Sequence, residues 1–194
     1  MKIFHIFRFL ISGFLLLIYL GFVNCSFAAI KNDKNSYDSE SNYFDIGMKE
    51  VLSGDLIILD NDRHLCLIGI DTPEVIEGNK LQFDSKISNV PEEVLRVMGN
   101  EAKCLLEDLI GGKRIRIEFD KKKENNYGDL LGYAFVIPEK KSEREVFLNA
   151  EIIKKGYTYE IDTTPNRWYM ELFKKLHAEA KKSQTSKLWQ QWRR

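Results

Sequence analysis

The chain has 194 residues, and its 29 Lys plus Arg are matched by 29 Asp plus Glu. That balance argues against a protein that grips nucleic acid mainly through phosphates, because such proteins draw their affinity from excess cations and counterion release. The length suffices for one domain with a sizeable core.

Lys2 and Arg8 precede an almost wholly apolar run from Phe9 to Val23, followed by the small residues Ser26, Ala28 and Ala29. This is the pattern of a secretory signal. The run of about 15 residues is shorter than the roughly 20 that a spanning helix needs. The expectation is a signal peptide over residues 1–29, cut after Ala28 or Ala29. The product is then secreted, or held in the periplasm or cell envelope, with no stable membrane span. An uncleaved signal acting as a membrane anchor is the alternative. Cys25 raises a lipoprotein reading, but Phe22, Val23 and Asn24 suit a lipidation site poorly. Cleavage removes two cations and no acid, which leaves a slightly acidic chain. Cys66 and Cys104 remain. They can form one disulfide in an oxidising compartment or stay as two small buried thiols, and the second reading is favoured.

Residues 30–42 are crowded with Asn, Asp, Ser and Lys and read as a disordered lead. The folded domain is expected over 43–194. Strand-like patterning runs from Tyr43 to Ile58, broken by the turn Ser53-Gly54-Asp55, and Leu56 to Leu59 follows that turn. Asp60-Asn61-Asp62 is a second turn, and a third strand runs from Arg63 to Ile70. Val75 to Pro91 reads as a long polar connection. Val94, Leu95, Met98, Ala102, Leu105, Leu106 and Leu109 recur at helical spacing, and Gly111-Gly112 ends that helix. Strands are expected over Arg114–Phe119 and Leu130–Ile137. A short helix over Phe147–Lys155 closes at Gly156. A second, over Trp168–Lys182, carries the apolar face Trp168, Leu172, Phe173, Leu176 and Ala180. Leu188, Trp189 and Trp192 are expected to pack back on the core. The order predicts a β-rich α+β domain, a five-stranded OB-type barrel with about three helices.

The third strand leads into Asp71-Thr72-Pro73-Glu74. Pro73 fixes its own φ and biases Thr72 toward an extended conformation. Hard oxygen donors are thus held at the end of a rigid element, where they suit a hard cation such as calcium. The bland alternative is that Asp55 and Asp71 are ordinary turn residues.

These pieces resemble the staphylococcal nuclease (thermonuclease) family. The matching motifs are Gly54-Asp55, Leu67 to Glu74, Asp120, Tyr127-Gly128, Leu131-Gly132-Tyr133, Leu148-Asn149 with Ile152, Ile153 and Gly156, and Ala178 to Lys181 ending in Leu188-Trp189. Each is weak alone, but together they run in order over nearly the whole mature chain. The resemblance implies calcium-dependent phosphodiester hydrolysis of DNA or RNA. On it, Asp55 and Asp71 are the calcium carboxylates, Thr72 supplies a backbone carbonyl to the metal, and Glu74 is the general base. The two phosphate-binding arginines fall at positions held here by Cys66 and Asp129. The acid half of the site is kept and the cationic half is missing, so a weak or impaired nuclease is expected. Arg63, Lys80, Lys121, Lys122, Lys123 and Arg144 are candidate replacement cations. The alternative function is a non-catalytic module of the cell envelope that binds nucleic acid or another ligand on the barrel, with Tyr127, Tyr133, Tyr157 and Tyr159 as possible stacking platforms. The chain is expected to be a monomer.

Overall fold

The computed structural model of the protein describes residues 43–159, 161 and 163–183. The signal segment, the polar lead, Leu188, Trp189 and Trp192 lie outside the described residues. None of the described helices is long and apolar enough to cross a membrane.

Three short strands open the domain: β1 (Met48–Val51), β2 (Leu56–Leu59) and β3 (His64–Leu67). They pair as the antiparallel meander that the two turn signals predict. The strand β5 (Leu130–Val136) then lies parallel to β3, with Cys66 opposite Leu131 and Leu67 opposite Gly132. The strand β4 (Ile115–Glu118) pairs antiparallel with the other edge of β5. Ile46, just before β1, exchanges both backbone hydrogen bonds with Ile115, at 2.9 and 2.8 Å. That isolated bridge brings the last strand in the order β1-β2-β3-β5-β4 near the first, and the sheet curls into a half-barrel. A two-residue strand, β6 (Val146–Phe147), adds to β5.

Alternation puts Ile57, Leu59, Leu65, Leu67, Ile115 and Ile117 inside the barrel. The long helix α2 (Glu92–Ile110) adds Leu106 and Ile110 to that core, and α3 (Leu148–Lys155) adds Leu148 and Ile152. Each of these fully buried aliphatic side chains is worth about 1.5–3 kcal/mol. A second cluster joins the outer side of β5 to α4 (Met170–Lys182) through Tyr133, Phe135, Phe173 and Leu176. Asn149 sits at the joint. It is fully buried, accepts from the Ala134 N–H, and donates to the Ile68 and Gly132 carbonyls. It thus satisfies backbone groups where the parallel β3–β5 pairing runs out.

Three expectations need correction. The third strand ends at Leu67, not Ile70. The Ile70 N–H bonds back to the Leu67 carbonyl, and Gly69 takes a φ of 75°. A Cβ there would come 2.9 Å from both the Phe173 ring and the Thr163 methyl, so packing and backbone both select glycine. The segment read as a long polar connection holds a helix, α1 (Asn79–Ser88). Its buried residues are Leu81 and Asp84, while Phe83 and Ile87 are exposed. It has no apolar stripe, so periodicity could not reveal it. Leu81 docks it in a small cluster with Val90, Leu95 and Met98. The described residues therefore contain four helices, not three. Finally, α4 buries Phe173, Leu176, His177 and Ala180, while Trp168 and Leu172 are exposed.

Candidate active site

The site is built where the β1–β2 turn meets the chain leaving β3. Gly54 in that turn is pressed between two neighbours: a Cβ on it would lie 2.5 Å from the Ala102 methyl of α2 and 2.8 Å from the Thr72 methyl. The Leu67 N–H donates to the Asp55 carbonyl at 2.8 Å and ties the turn to the end of β3. The Asp55 carboxylate accepts from the Ser53 hydroxyl at 2.5 Å, the Thr72 hydroxyl at 3.2 Å and the Thr72 N–H at 3.4 Å. Burial pushes the Asp55 carboxyl above its ordinary pKa, against the opposing pull of the Ser53 and Thr72 hydrogen bonds.

Asp71 follows on the same segment. Its N–H donates to the Thr158 hydroxyl and its carbonyl accepts from the Tyr159 N–H, both at 3.0 Å. Its backbone is therefore fixed by the chain leaving α3. Pro73 and Glu74 lie directly on α2 at Gly99, where an added Cβ would sit 2.4 Å from the Pro73 carbonyl oxygen. This contact gives a test. Placing alanine in a helix normally gains up to about 1 kcal/mol over glycine. Overpacking against backbone costs about 1–3 kcal/mol. Gly99→Ala is thus expected to lower the urea midpoint without changing the slope, because α2 must back away from Glu74. A raised midpoint would show that the contact yields freely.

The four acids nearest this corner come from three elements. Asp55 is on the turn, Asp71 and Glu74 are on the segment after β3, and Asp84 is on α1. Lys80 of α1 stands among three of them. Its ammonium lies 3.1 Å from Asp71 Oδ1, 3.5 Å from Glu74 Oε1 and 3.2 Å from Asp84 Oδ2, and donates to the Thr72 carbonyl at 3.3 Å. It also sits 5.8 Å from the centre of the Tyr159 ring. Partial burial pulls the Lys80 pKa down, but the Asp71, Asp84 and Glu74 carboxylates outweigh it and the net shift is upward.

The oxygens that the resemblance assigns to calcium are therefore already engaged. Asp55 is satisfied by Ser53 and Thr72, while Asp71 and the Thr72 carbonyl face an ammonium. Among the described residues no group of three or more His, Cys, Asp or Glu side chains is arranged to hold a metal ion. As placed, this donor set does not fit a calcium cage, which needs six to eight converging oxygens at about 2.3–2.6 Å.

Cys66 and Asp129, where the resemblance expects arginines, lie in a second polar cluster beside β3. Cys66 and His64 occupy alternate, half-buried positions on that strand. Asn125 donates to Asp129 Oδ2 at 2.9 Å and approaches Cys66 Sγ at 3.8 Å, while His64 Nδ1 lies 3.3 Å from Asp129 Oδ1. The Asp129 N–H in turn donates to Asn125 Oδ1 at 3.0 Å, which closes the loop on itself. Burial, with Asp129 and Asp55 adding to it, pushes the Cys66 thiol up to about 12. Cys66 thus stays a neutral thiol and supplies neither a cation nor a thiolate nucleophile. Cys66 and Cys104 are both free, but they are not the two buried thiols expected, since Cys66 is half-buried and Cys104 is exposed.

Of the candidate cations, Lys80 is the one these contacts bring to the acids. Arg63 pairs with Glu124 and donates to the Gly128 carbonyl at 3.2 Å. Arg144 lies in the connection at the far end of β5 from Asp129, six residues or about 20 Å along the strand. The Lys122 backbone is pinned by Asn166. Of the four tyrosines, Tyr133 is fully buried, Tyr157 and Tyr159 are half-buried, and Tyr127 is exposed. The residues that sequence reasoning missed at the site are Asp84 and Asn125. Asp84 was hidden with its helix. Asn125 stood in the turn-rich Asn125-Asn126-Tyr127-Gly128 run, where a turn role masked its contact with Asp129.

Residues 64–191 match the family described as staphylococcal nuclease homologue. A thermonuclease of Staphylococcus intermedius is 27% identical over 146 residues, which cover 74% of this chain and 74% of that protein. A thermonuclease of Staphylococcus hyicus is 27% identical over 135 residues, 68% of each. A family match over more than half of the chain, on a barrel with this strand order and this acid-bearing corner, means that the chain belongs to the staphylococcal nuclease family.

Proposed function

We propose that the protein is a nuclease-family phosphodiesterase of greatly reduced power, which keeps the acids of a hydrolytic site and lacks its phosphate-binding arginines. The observation that carries this reading is the pair Cys66 and Asp129, bridged by Asn125 where the resemblance expects two guanidinium groups. A phosphodiester is already anionic, and attack by water adds charge that preorganised cations would neutralise. Asp129 brings an acid to that place instead. Glu74 is the general base of this reading, and DNA or RNA is the substrate. Calcium enters it only where it displaces Lys80. Secretion through the segment Lys2 to Ala29 belongs to the same proposal.

Incubation of the purified chain with single-stranded DNA and RNA, with and without added calcium, tests the reading. Slow cleavage is expected, and Glu74→Gln should reduce it by about 10²-fold or more, the scale of a lost general base. No cleavage at high enzyme concentration, or cleavage indifferent to Glu74→Gln, would contradict it. A second reading, a non-catalytic single-strand-binding module, is favoured by one observation: Tyr127, two residues from Asp129, is 91% exposed and free to stack on a base.

A further inference from the structure

We propose that the Lys80 ammonium is the built-in counter-ion of the acidic corner, standing where the family resemblance would put a divalent cation, so that calcium binds only by displacing it. Four oxygens surround the nitrogen: Asp71 Oδ1, Glu74 Oε1, Asp84 Oδ2 and the Thr72 carbonyl, at 3.1–3.5 Å. Two of the four, on Asp71 and Thr72, are oxygens that the resemblance assigns to the metal. These are ion-pair distances, longer than the about 2.7–2.9 Å of a tight charge-assisted hydrogen bond, and calcium would need the same oxygens drawn in to about 2.3–2.6 Å.

The Lys80 side chain is 43% exposed and that of Asp71 52%, yet several elements hold the group in place. Lys80 and Asp84 are one turn apart on α1, so the helix delivers both the cation and one of its acids. Leu81, between them, is fully buried and docks that helix on α2. The face of the Tyr159 ring meets the ammonium from another side, a contact that favours an organic cation. The backbone of Asp71 is fixed by Thr158 and Tyr159, and Pro73 and Glu74 are backed by α2 at Gly99. The oxygens therefore cannot easily close around a smaller ion while the lysine remains. The consequence is a site with a single, tethered positive charge. It is neutralised less fully than by a divalent ion and does not depend on ambient calcium.

Calorimetric titration with calcium alone, without nucleotide, tests this on the purified chain and on Lys80→Met. The parent is expected to show no saturable binding up to about 10 mM calcium, beyond the ~10⁻⁴–10⁻³ M range of weak extracellular calcium modules. Lys80→Met is expected to bind at least tenfold more tightly than the parent, and Asp71→Asn added to it should remove the gain. Parent binding as tight as that of the variant would overturn the proposal, as would a folded Lys80→Met that gains nothing. Should the variant not fold, the parent decides alone. Isotope-labelled lysine spectroscopy is expected to show one ammonium signal displaced from the other lysines, lost in Lys80→Met, that the same calcium leaves unmoved. Loss or displacement of that signal at submillimolar calcium would overturn the proposal. Both readouts report cation binding and not hydrolysis, so their failure is separable from failure of the proposed nuclease activity.

Discussion

Cys66→Arg combined with Asp129→Arg is expected to raise the rate of phosphodiester cleavage by about 10³-fold or more. One preorganised donor to a transition-state anion is worth roughly 10²–10³ in rate. Two donors in one site act together, so their effects do not multiply cleanly. Replacing Asp129 also removes a repulsive charge, which adds in the same direction. The fold should tolerate both changes. Cys66 occupies an outward, half-buried position on β3, alternating with the buried Leu65 and Leu67. Replacing Asp129 costs the Asn125 hydrogen bond and the His64 contact, about 1 kcal/mol for a partly exposed pair. Single-turnover cleavage of a labelled oligonucleotide by parent and double variant gives the measurement. A folded double variant as slow as its parent would mean that the missing arginines are not the defect.

The largest stability loss is expected at Asp120, which has no part in the proposed chemistry. Asp120 is 5% exposed. Its carboxylate accepts from the Lys121 N–H at 2.7 Å, the Arg167 N–H at 2.6 Å, the Trp168 N–H at 3.0 Å and the Tyr133 hydroxyl at 3.2 Å. It therefore ties the chain leaving β4 to the segment that leads into α4. Asp120→Ala strands these donors, and unsatisfied buried groups cost about 1–3 kcal/mol each. Partial rehydration makes about 3–5 kcal/mol the expected total, a fall in Tm of about 10 °C or more. The effect should depend on pH with a definite sign. Burial raises the Asp120 carboxyl, but the Trp168, Lys121 and Arg167 N–H groups and the Tyr133 hydroxyl outweigh it and hold it below its ordinary 3.8. A carboxyl depressed in the folded state stabilises above its unfolded value, and that contribution fades as pH falls through the folded one. The gap in unfolding free energy between parent and Asp120→Ala should thus be constant near neutrality and narrow below about pH 4. A gap that widens on acidification would show that the anion is not what the four donors hold.

The parts legible in the sequence are those governed by local rules. The turns at Ser53–Asp55 and Asp60–Asp62, the helix from Glu92 to Ile110 and the stop at Gly156 follow from turn chemistry and periodicity, and the structure has each of them. The third strand reads too long in the sequence because Ile68 and Ile70 look like strand residues. The turn is dictated from a distance, by Phe173 and Thr163 against Gly69. Helix α1 was invisible because its docking rests on Leu81 alone while Phe83 and Ile87 face outward. The site shows the same division. Asp55, Asp71, Thr72 and Glu74 share one corner because one turn and one segment carry them, but not as the metal site that the resemblance implies. The contacts of Lys80 and Asp84 depend on how an unrecognised helix docks, and no short-range pattern encodes that. That Cys66 and Asp129 stand where the resemblance expects arginines follows from the motifs, whereas the Asn125 contact between them depends on the fold.

The most direct test of the central claim compares this chain with the Staphylococcus hyicus thermonuclease. Both proteins are given the same single-stranded DNA in the same calcium buffer under single-turnover conditions. A site with its acids but without its two phosphate-binding cations is expected to be slower by about 10³-fold or more, with the residual rate lost in Glu74→Gln. A rate within tenfold of the thermonuclease would contradict the account, because Cys66 and Asp129 could then not be the defect they are taken to be.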